Sequence, residues 1–117
     1  MAVGDDSHGP LYRVSGVRLG TVSAGIKTLG RMDLVLVEVS ENTACAAVFT
    51  RNAFCAAPVT VAREHLRSCA HQPRYLLINT GNANAGTGRA GIEAARFSAM
   101  TVASAAGVDA ATVMVSP

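Results

Sequence analysis

Aromatic side chains are the scarcest class in this sequence, which has no tryptophan and is only 4% aromatic over 117 residues. Half of the residues are nevertheless hydrophobic, and the chain is long enough to enclose one small core. That core must therefore be built from valine, leucine, isoleucine and alanine. The scarcity also argues against a surface that stacks nucleic-acid bases, because such surfaces interleave aromatic with basic residues.

Charged residues are also few, at 15% of the chain with a net charge of +2, and the lysines and arginines form no run. We therefore expect no nucleic-acid partner. So little charge is sparse for a fully solvated surface, which suggests that another chain or further sequence covers part of this one. No apolar run approaches the length of a membrane span, so we expect no membrane partner.

The three cysteines and three histidines lack the spacing of metal ligands, and no C-x-x-C motif occurs. We therefore expect no metal site. The odd number of cysteines and a start unlike a secretory leader favour a reducing, cytoplasmic location. The thiols of Cys45, Cys55 and Cys69 are predicted to be buried and reduced.

Strand patterns dominate the first two thirds of the chain. Residues 1–13 lack periodicity and are punctuated by glycine and proline, so we interpret them as a flexible arm before an incomplete domain over residues 14–117. Short apolar and β-branched runs between turn residues predict strands. These strands are predicted at residues 18–23, 34–39, 44–50 and 58–62, and one or two helical turns at residues 63–69.

The stretch from Tyr75 to Gly88 combines a strand, a loop and the start of a helix. Its continuous apolar run, residues 75–78, is typical of a strand buried on both faces. Three glycines and three asparagines follow within residues 79–88. Apolar residues then recur at intervals of three and four, which predicts a helix over residues 91–106 that ends at Gly107. Its predicted apolar face consists of Ile92, Ala95, Ala99, Val102 and Ala106.

A last strand is predicted at residues 113–117, after a short turn that Asp109 caps. Because this strand and the one at residues 75–78 flank a single helix, a right-handed crossover makes them parallel neighbours. The order of elements predicts an α/β fold, with a mixed sheet of about four to six strands and helices packed on it. The apolar run at the end leads us to expect the front piece of a longer protein.

The glycines and asparagines of residues 79–88 allow two interpretations. Glycine lets backbone N–H groups approach a ligand, and a helix N-terminus adds unpaired donors, so the loop suits an anion or a developing oxyanion. Small and amide residues also build strand-to-helix turns for geometric reasons alone. Gly81 and Gly86 have the spacing of a phosphate-binding P-loop, but Thr87 and Gly88 stand where lysine and serine or threonine are needed. Nucleotide binding is therefore not favoured.

Five blocks of residues occur in one order with short gaps. They are Ala24-Gly25-Ile26-Lys27, Gly30-Arg31-Met32-Asp33-Leu34, Ala47-Val48-Phe49-Thr50-Arg51-Asn52, Ala56-Ala57-Pro58-Val59, and Asn79-Thr80-Gly81-Asn82-Ala83-Asn84-Ala85 with Thr87-Gly88. Together they resemble the N-terminal part of the bifunctional ornithine acetyltransferase/N-acetylglutamate synthase family of arginine biosynthesis. The resemblance covers about residues 16–117 and depends on several unrelated blocks.

The resemblance implies the N-terminal-nucleophile-type fold of that family and the transfer of acetyl from N-acetylornithine to glutamate. Some members also accept acetyl-CoA as a substrate, and no cofactor is implied. The proenzyme cuts itself before a threonine, which then forms an acetyl-enzyme with its own α-amino group as base. This threonine, and a Thr-Gly pair that forms the oxyanion hole, are expected after residue 117. No catalytic residue is therefore carried over to this chain.

The loop is where we expect support for the substrate site. Ligands of such sheets gather beyond the carboxyl ends of the strands, which would bring the loop next to the expected Thr-Gly pair. The supporting residues are predicted to be Asn79, Gly81, Asn82 and Asn84. The expected partners are the remainder of the same polypeptide (the rest of the α chain and the β chain), further αβ units in a homo-oligomer, and small amino-acid substrates.

A function of a different class stays open. A protein that kept this scaffold and lost the half that carries the nucleophile would be a non-catalytic assembly or binding module. A Thr-Gly pair directly after Pro117 in the gene, and a threonine in a cleavage motif further on, would identify the enzyme. A stop codon after Pro117 would identify the module.

We predict that the isolated 117-residue chain has no acetyl-transfer activity. It has no G-x-S-x-G motif, and its cysteines and histidines are not paired at a workable spacing. An assay of the purified chain with N-acetylornithine and glutamate tests this prediction, and turnover above background would contradict it.

Overall fold

The aliphatic runs at residues 34–39 and 75–78 become the two inner strands of a four-stranded sheet. The computed structural model describes residues 9–25, 29–80 and 86–116. In chain order the elements are β1 (Val17–Val22), β2 (Leu34–Val39), α1 (Ala57–Ser68), β3 (Tyr75–Asn79), α2 (Gly88–Ala106), a 3₁₀ turn (Ala110–Thr112) and β4 (Val113–Ser116).

The strands lie in the order β1-β2-β3-β4. β2 pairs antiparallel with β1 and with β3, whereas β3 and β4 are parallel. In the parallel pair Tyr75 lies opposite Val113, and Ile78 lies opposite Ser116. The structure therefore confirms the predicted mixed sheet and its strands at residues 34–39 and 75–78. It also confirms that the strands before and after α2 in the chain are parallel neighbours.

Alanine side chains let α2 pack closely on one face of the sheet. Ala95, Ala99 and Ala103 recur every four residues and so form one stripe along the helix. All three are buried, in a cluster with Val113 and Val115 of β4. A stripe of methyl groups brings the helix backbone near the strands and leaves little room for larger side chains.

The ends of α2 agree with the sequence pattern to within one turn. The helix begins at Gly88, three residues before the predicted start, and Gly107 follows it in the left-handed conformation with φ 69°. Asp109 then accepts a hydrogen bond from the backbone N–H of Ala111 at 2.8 Å, as predicted for a cap. The buried stripe differs from the predicted face, because Ala106 is exposed.

The strand predicted at residues 58–62 is wrong, because these residues belong to α1. Pro58 lies in the first helical turn, where a missing N–H removes no intrahelical hydrogen bond. Ala57, Val61 and Leu66 are buried with helical spacing. Burial of this face outweighs the strand preference of the β-branched residues, since propensity is weaker than packing.

The strand predicted at residues 44–50 is also wrong, since the structure gives these residues no regular conformation. Both edges of β2 are already paired, so the segment that follows β2 has no free sheet edge beside it. It crosses the face of the sheet opposite α2 instead. There Cys45 and Phe49 pack against the buried side chains of Leu66 and Met114.

α1 lies along the outer edge of β4 and contacts both faces of the sheet there. Val61 packs with Val113 on the α2 side, and Leu66 packs with Met114 on the other side. Between them, Nδ1 of His65 donates a hydrogen bond to the backbone carbonyl of Val113 at 2.8 Å. The helix thus covers a strand edge that would otherwise present unpaired backbone groups.

The face opposite α2 is only partly covered. Val37, Leu76 and Met114 line an apolar groove of about 630 Å³ on this face. The prediction that β3 is buried on both faces is wrong, since all five of its residues are half-buried. Two of them, Tyr75 and Leu76, line this open groove. The predicted burial of the cysteines is likewise wrong: all three are half-buried, and all are free thiols.

The longer helix, α2, spans 19 residues. α1 and α2 are the two α-helices of the described residues. Neither of them is both long enough and apolar enough to cross a membrane. Within the same residues, no three histidine, cysteine, aspartate or glutamate side chains come together as metal ligands would.

Asp33 connects the ends of three strands, although it is only 2% exposed. Its carboxylate accepts the backbone N–H of Ala24, just after β1, at 2.6 Å. Its carbonyl accepts the backbone N–H of Thr80, just after β3, at 2.9 Å, and its own N–H donates to Val22. A charged acceptor that is buried and bonded in this way fixes the chain where it leaves the sheet.

We predict that Asp33→Ala lowers the free energy of unfolding by about 2 kcal/mol, because it removes the charged acceptor that holds the backbone N–H of Ala24. Urea unfolding measures the change. Asp109→Ala is the matched control, since it removes the same kind of bond at an exposed turn and should cost about 1 kcal/mol or less. Equal effects of the two substitutions would contradict the role given to Asp33.

We predict that Gly91→Ala destabilises the protein, although alanine is better than glycine in a helix by about 1 kcal/mol. A methyl group at this position would collide with the side chain of Thr87 and lie 3.1 Å from Cβ of Ala57. Overpacking of this kind costs about 1–3 kcal/mol. Gly20→Ala serves as the control, because a Cβ there meets nothing within 4 Å. A rise in melting temperature for Gly91→Ala would refute the close contact.

Candidate functional site

The parallel strands β3 and β4 end at the same edge of the sheet. Ile78 and Ser116 form the last described pair, and Asn79 extends β3 by one residue. The chain leaves β3 here for the loop that precedes α2. This edge is also where open sheets with parallel strands bind ligands.

A cavity of about 150 Å³ lies between this edge and the first turns of the helices. Its walls are mostly apolar side chains of the sheet and α2. Polar side chains reach it at Asn79, Ser98 and Ser116. Ser98 is already engaged, since its Oγ donates to the carbonyl of Ala94 in the same helix at 3.0 Å. The complete lining is Leu34, Pro58, Leu77, Asn79, Gly91, Ala94, Ala95, Ser98, Val115 and Ser116.

Asn79 carries the most unusual atom of this site. Its carboxamide oxygen Oδ1 is buried and has no hydrogen-bond partner among the residues that the structure describes. Buried polar atoms in folded proteins are nearly always hydrogen-bonded. An amide oxygen is an acceptor only, so the atom that satisfies it must carry an N–H or O–H group.

Thr80, which follows β3, makes two hydrogen bonds to Asp33. Both the backbone N–H of Thr80 and its hydroxyl point to the carbonyl of Asp33, at 2.9 and 3.4 Å. Asp33 in turn holds Ala24 through its carboxylate. In the sequence, Asp33 stands out only as a member of the block Gly30-Arg31-Met32-Asp33-Leu34. Its burial depends on strands β1 and β3 meeting around it, a contact between distant parts of the chain that no local pattern carries.

Of the four predicted site residues, Asn79 alone falls among the described residues. Gly81, Asn82 and Asn84 lie outside them. The structure therefore brings Asn79 to the cavity beside Ser116, and the contribution of the other three stays a prediction.

The electrostatic character of the cavity is set by dipoles rather than by charged side chains. No residue of its described lining is ionisable. The first turn of α2 carries no acidic residue, so the positive end of the helix dipole is not neutralised there. Such a site can orient polar groups and favour negative charge, as an oxyanion site requires.

The described lining offers no nucleophile paired with a base. Its two hydroxyl groups belong to Ser98 and Ser116, and it contains no histidine, cysteine or carboxylate. His65 of α1 donates to Val113, at the other end of β4 from Ser116. The geometry of these residues therefore suits positioning and not bond cleavage.

The corner around Arg51 is separate from this site. Arg51 is exposed. Arg63 holds the corner, because its Nη2 donates to the carbonyl of Thr50 at 3.0 Å and its guanidinium lies 5.3 Å from the ring centre of Phe49. A cation above an aromatic ring in this way is a packing contact of modest strength.

The chain is similar to known proteins over most of its length. The family model of the ArgJ family matches residues 18–117. Arginine biosynthesis bifunctional protein ArgJ of Methylococcus capsulatus is 59% identical over 104 residues, which cover 89% of this chain and 25% of that protein. The protein of the same name from Pseudomonas syringae pv. tomato is 49% identical over 97% of this chain and 27% of its own length. The chain thus spans about a quarter of the length of these curated relatives.

Two solved structures have the same fold. Ornithine acetyltransferase of Mycobacterium tuberculosis, solved in complex with ornithine, superposes with a TM-score of 0.80 at 38% identity, over 87% of this chain and 55% of that one. Arginine biosynthesis bifunctional protein ArgJ of Bacillus halodurans gives a TM-score of 0.80 at 28% identity, over 87% and 53%. The mixed α/β architecture expected from the resemblance is therefore that of the ornithine acetyltransferases. Because the family model spans nearly the whole sequence, this chain belongs to the ArgJ family.

Proposed function

We propose that this chain is part of a glutamate N-acetyltransferase of arginine biosynthesis, which moves the acetyl group of N-acetylornithine to glutamate. The observation that carries the proposal is the family match over residues 18–117. Two further findings support it: relatives at 59% and 49% identity are named for arginine biosynthesis, and a solved neighbour is an ornithine acetyltransferase with ornithine bound.

The reaction proceeds through an acetyl-threonine intermediate. The threonine hydroxyl attacks the acetyl carbonyl of N-acetylornithine, and its proton passes by way of the threonine α-amino group to the departing ornithine nitrogen. The C–N bond breaks and an ester forms. The amine of glutamate then attacks the ester, which regenerates the threonine and gives N-acetylglutamate. The threonine is exposed by self-cleavage of the precursor, and acetyl-CoA is a second possible donor of the acetyl group.

The part of this chain in the reaction is to position other groups. β3 and β4 end side by side at Asn79 and Ser116, next to an uncharged cavity at the N-terminal end of α2. A Thr-Gly oxyanion pair that follows β4 would lie against this edge. Asn79, Gly81, Asn82 and Asn84 then shape the floor of the acetyl site, and none of them reacts.

The rest of the α chain and the β chain complete the enzyme, which works in the cytoplasm as an oligomer of αβ units. Assay of the full-length protein with N-acetylornithine and glutamate tests this function. Accumulation of an acetylated β chain in the absence of glutamate, seen by mass spectrometry, is the expected result. A full-length protein that neither cleaves itself nor transfers acetyl would favour the non-catalytic module instead.

We predict that Asn82→Ala and Asn84→Ala, made in the full-length enzyme, reduce turnover on the order of 10- to 100-fold with little change in melting temperature, because misplaced positioning groups disturb the reacting geometry. Asn52→Ala is the matched control. Its carboxamide builds an exposed turn by accepting the backbone N–H of Phe54 at 3.0 Å, and it does not line the cavity beside Asn79. A fall in melting temperature with turnover retained would show that Asn82 and Asn84 only build the turn.

A further inference from the structure

Two arginines share a cavity at the corner around Arg51, and no described acidic residue pairs with either of them. Of the nine arginines of the chain, four form ion pairs with glutamates, namely Arg18, Arg74, Arg89 and Arg96. Arg51 and Arg63 both line an open cavity of about 640 Å³. Its described lining contains no carboxylate and consists of Phe49, Thr50, Arg51, Asn52, Ala53, Cys55 and Arg63. Two positive charges therefore face one concave surface without a described counter-charge.

The oxygen atoms of this corner are already used as acceptors. The carbonyl of Thr50 accepts Nη2 of Arg63 at 3.0 Å, and the hydroxyl oxygen of Thr50 accepts the backbone N–H of Asn52 at 3.1 Å. The carboxamide oxygen of Asn52 accepts the backbone N–H of Phe54, and the carbonyl of Asn52 accepts that of Cys55. The acceptors of Thr50 and Asn52 are therefore occupied by donors of the corner itself.

Donors remain in excess at the same place. Among the described residues the guanidinium of Arg51 has no hydrogen-bond partner, and Arg63 donates only through Nη2. A guanidinium carries five N–H donors and no acceptor. The hydroxyl of Thr50 can also donate while its oxygen accepts. Unused donors, two positive charges and occupied acceptors are complementary to an anion, which only accepts.

Arg63 is held in position within this cavity. Its guanidinium lies 5.3 Å from the ring centre of Phe49, and its bond to the carbonyl of Thr50 fixes one Nη atom. The side chain is half-buried, whereas that of Arg51 is exposed. An arginine fixed in this way loses less side-chain entropy when a ligand binds. Arg63 thus offers a preformed fork, and Arg51 offers a second charge that solvent-borne ligands can reach.

The kind and number of donors favour a phosphate group over a carboxylate. The planar fork of a guanidinium matches two oxygens of either anion. One such fork already satisfies both oxygens of a carboxylate. A phosphate group has three strong acceptor oxygens and up to two negative charges, so it can engage both guanidinium groups together.

We propose that the corner formed by Arg51 and Arg63 binds a phosphate group of a small-molecule ligand, with Arg63 as the fixed fork and Arg51 as the second positive charge. This site goes beyond the proposed function, because it shares no lining residue with the cavity beside Asn79. Its test measures binding without turnover. Failure of the proposed acetyl transfer and failure of this site are therefore distinguishable.

The test is titration calorimetry of the full-length protein with inorganic pyrophosphate at low ionic strength. Arg51→Ala removes the exposed charge, and Arg63→Lys keeps a charge but removes the fork. Arg67→Ala is the matched control, since Arg67 is an exposed arginine of the same helix that does not line the cavity. Malonate is titrated as a dicarboxylate for comparison, and the melting temperature of each protein is measured.

We expect wild-type protein to bind pyrophosphate more tightly than malonate. Arg51→Ala and Arg63→Lys should each weaken pyrophosphate binding about tenfold, as expected for the loss of a charge-assisted hydrogen bond. Arg67→Ala should bind as the wild type does. The melting temperature of Arg51→Ala should not change, because the substituted side chain is exposed and makes no described contact that stabilises the fold. Arg51→Ala therefore decides the question even if Arg63→Lys is unstable.

Four results would overturn the proposal. Wild-type protein that does not bind pyrophosphate would show that another part of the protein neutralises the two arginines. Equal binding by the wild type and Arg51→Ala would place the anion elsewhere. Equal weakening by Arg67→Ala would reduce the effect to net charge. Malonate bound as tightly as pyrophosphate would refute the assignment to phosphate.

Discussion

The parallel pairing of β3 with β4 is the constraint on which the rest of this structure depends. A parallel pair needs a crossover that returns the chain to the same end of the sheet, and α2 provides it. The pairing is stabilised on one side by the alanine stripe of α2 and at the free edge by α1, with His65 bonded to Val113. Because both strands run the same way, Asn79 and Ser116 arrive at one edge, and the cavity beside them exists only through this arrangement.

Two residues at this edge, Asp33 and Asn79, bury polar atoms in opposite ways. Asp33 has its carboxylate and its carbonyl bonded to the segments that leave β1 and β3, so its burial stabilises the chain path. Asn79 has an oxygen to which no described residue donates. A protein gains from the first kind of burial and loses from the second unless another group completes it. At this edge the polar groups of Asp33 therefore fix the chain path, whereas the oxygen of Asn79 adds no hydrogen bond among the described residues.

Particular elements explain why parts of the fold could be predicted and others could not. β2 and β3 are continuous aliphatic runs, and such runs have few alternatives in a small domain. Residues 58–62 were predicted as a strand because β-branched residues dominate them, but the buried spacing of Val61 and Leu66 favours a helix against β4. Residues 44–50 have a strand composition and lie where both edges of β2 are occupied. Composition indicates which conformation a segment prefers. A strand forms only where another strand is available to pair with it.

The sequence by itself determined the aliphatic strands, the α2 helix with its glycine end and its capped turn, and, through its blocks of residues, the ArgJ resemblance. These depend on local spacing and on residue chemistry, which the chain carries in any conformation. Only the tertiary structure decided that α1 covers the edge of β4, that Asp33 is buried between three strands and that Asn79 lines a cavity. Each of these requires residues far apart in the chain to meet, and no local pattern records which of them do.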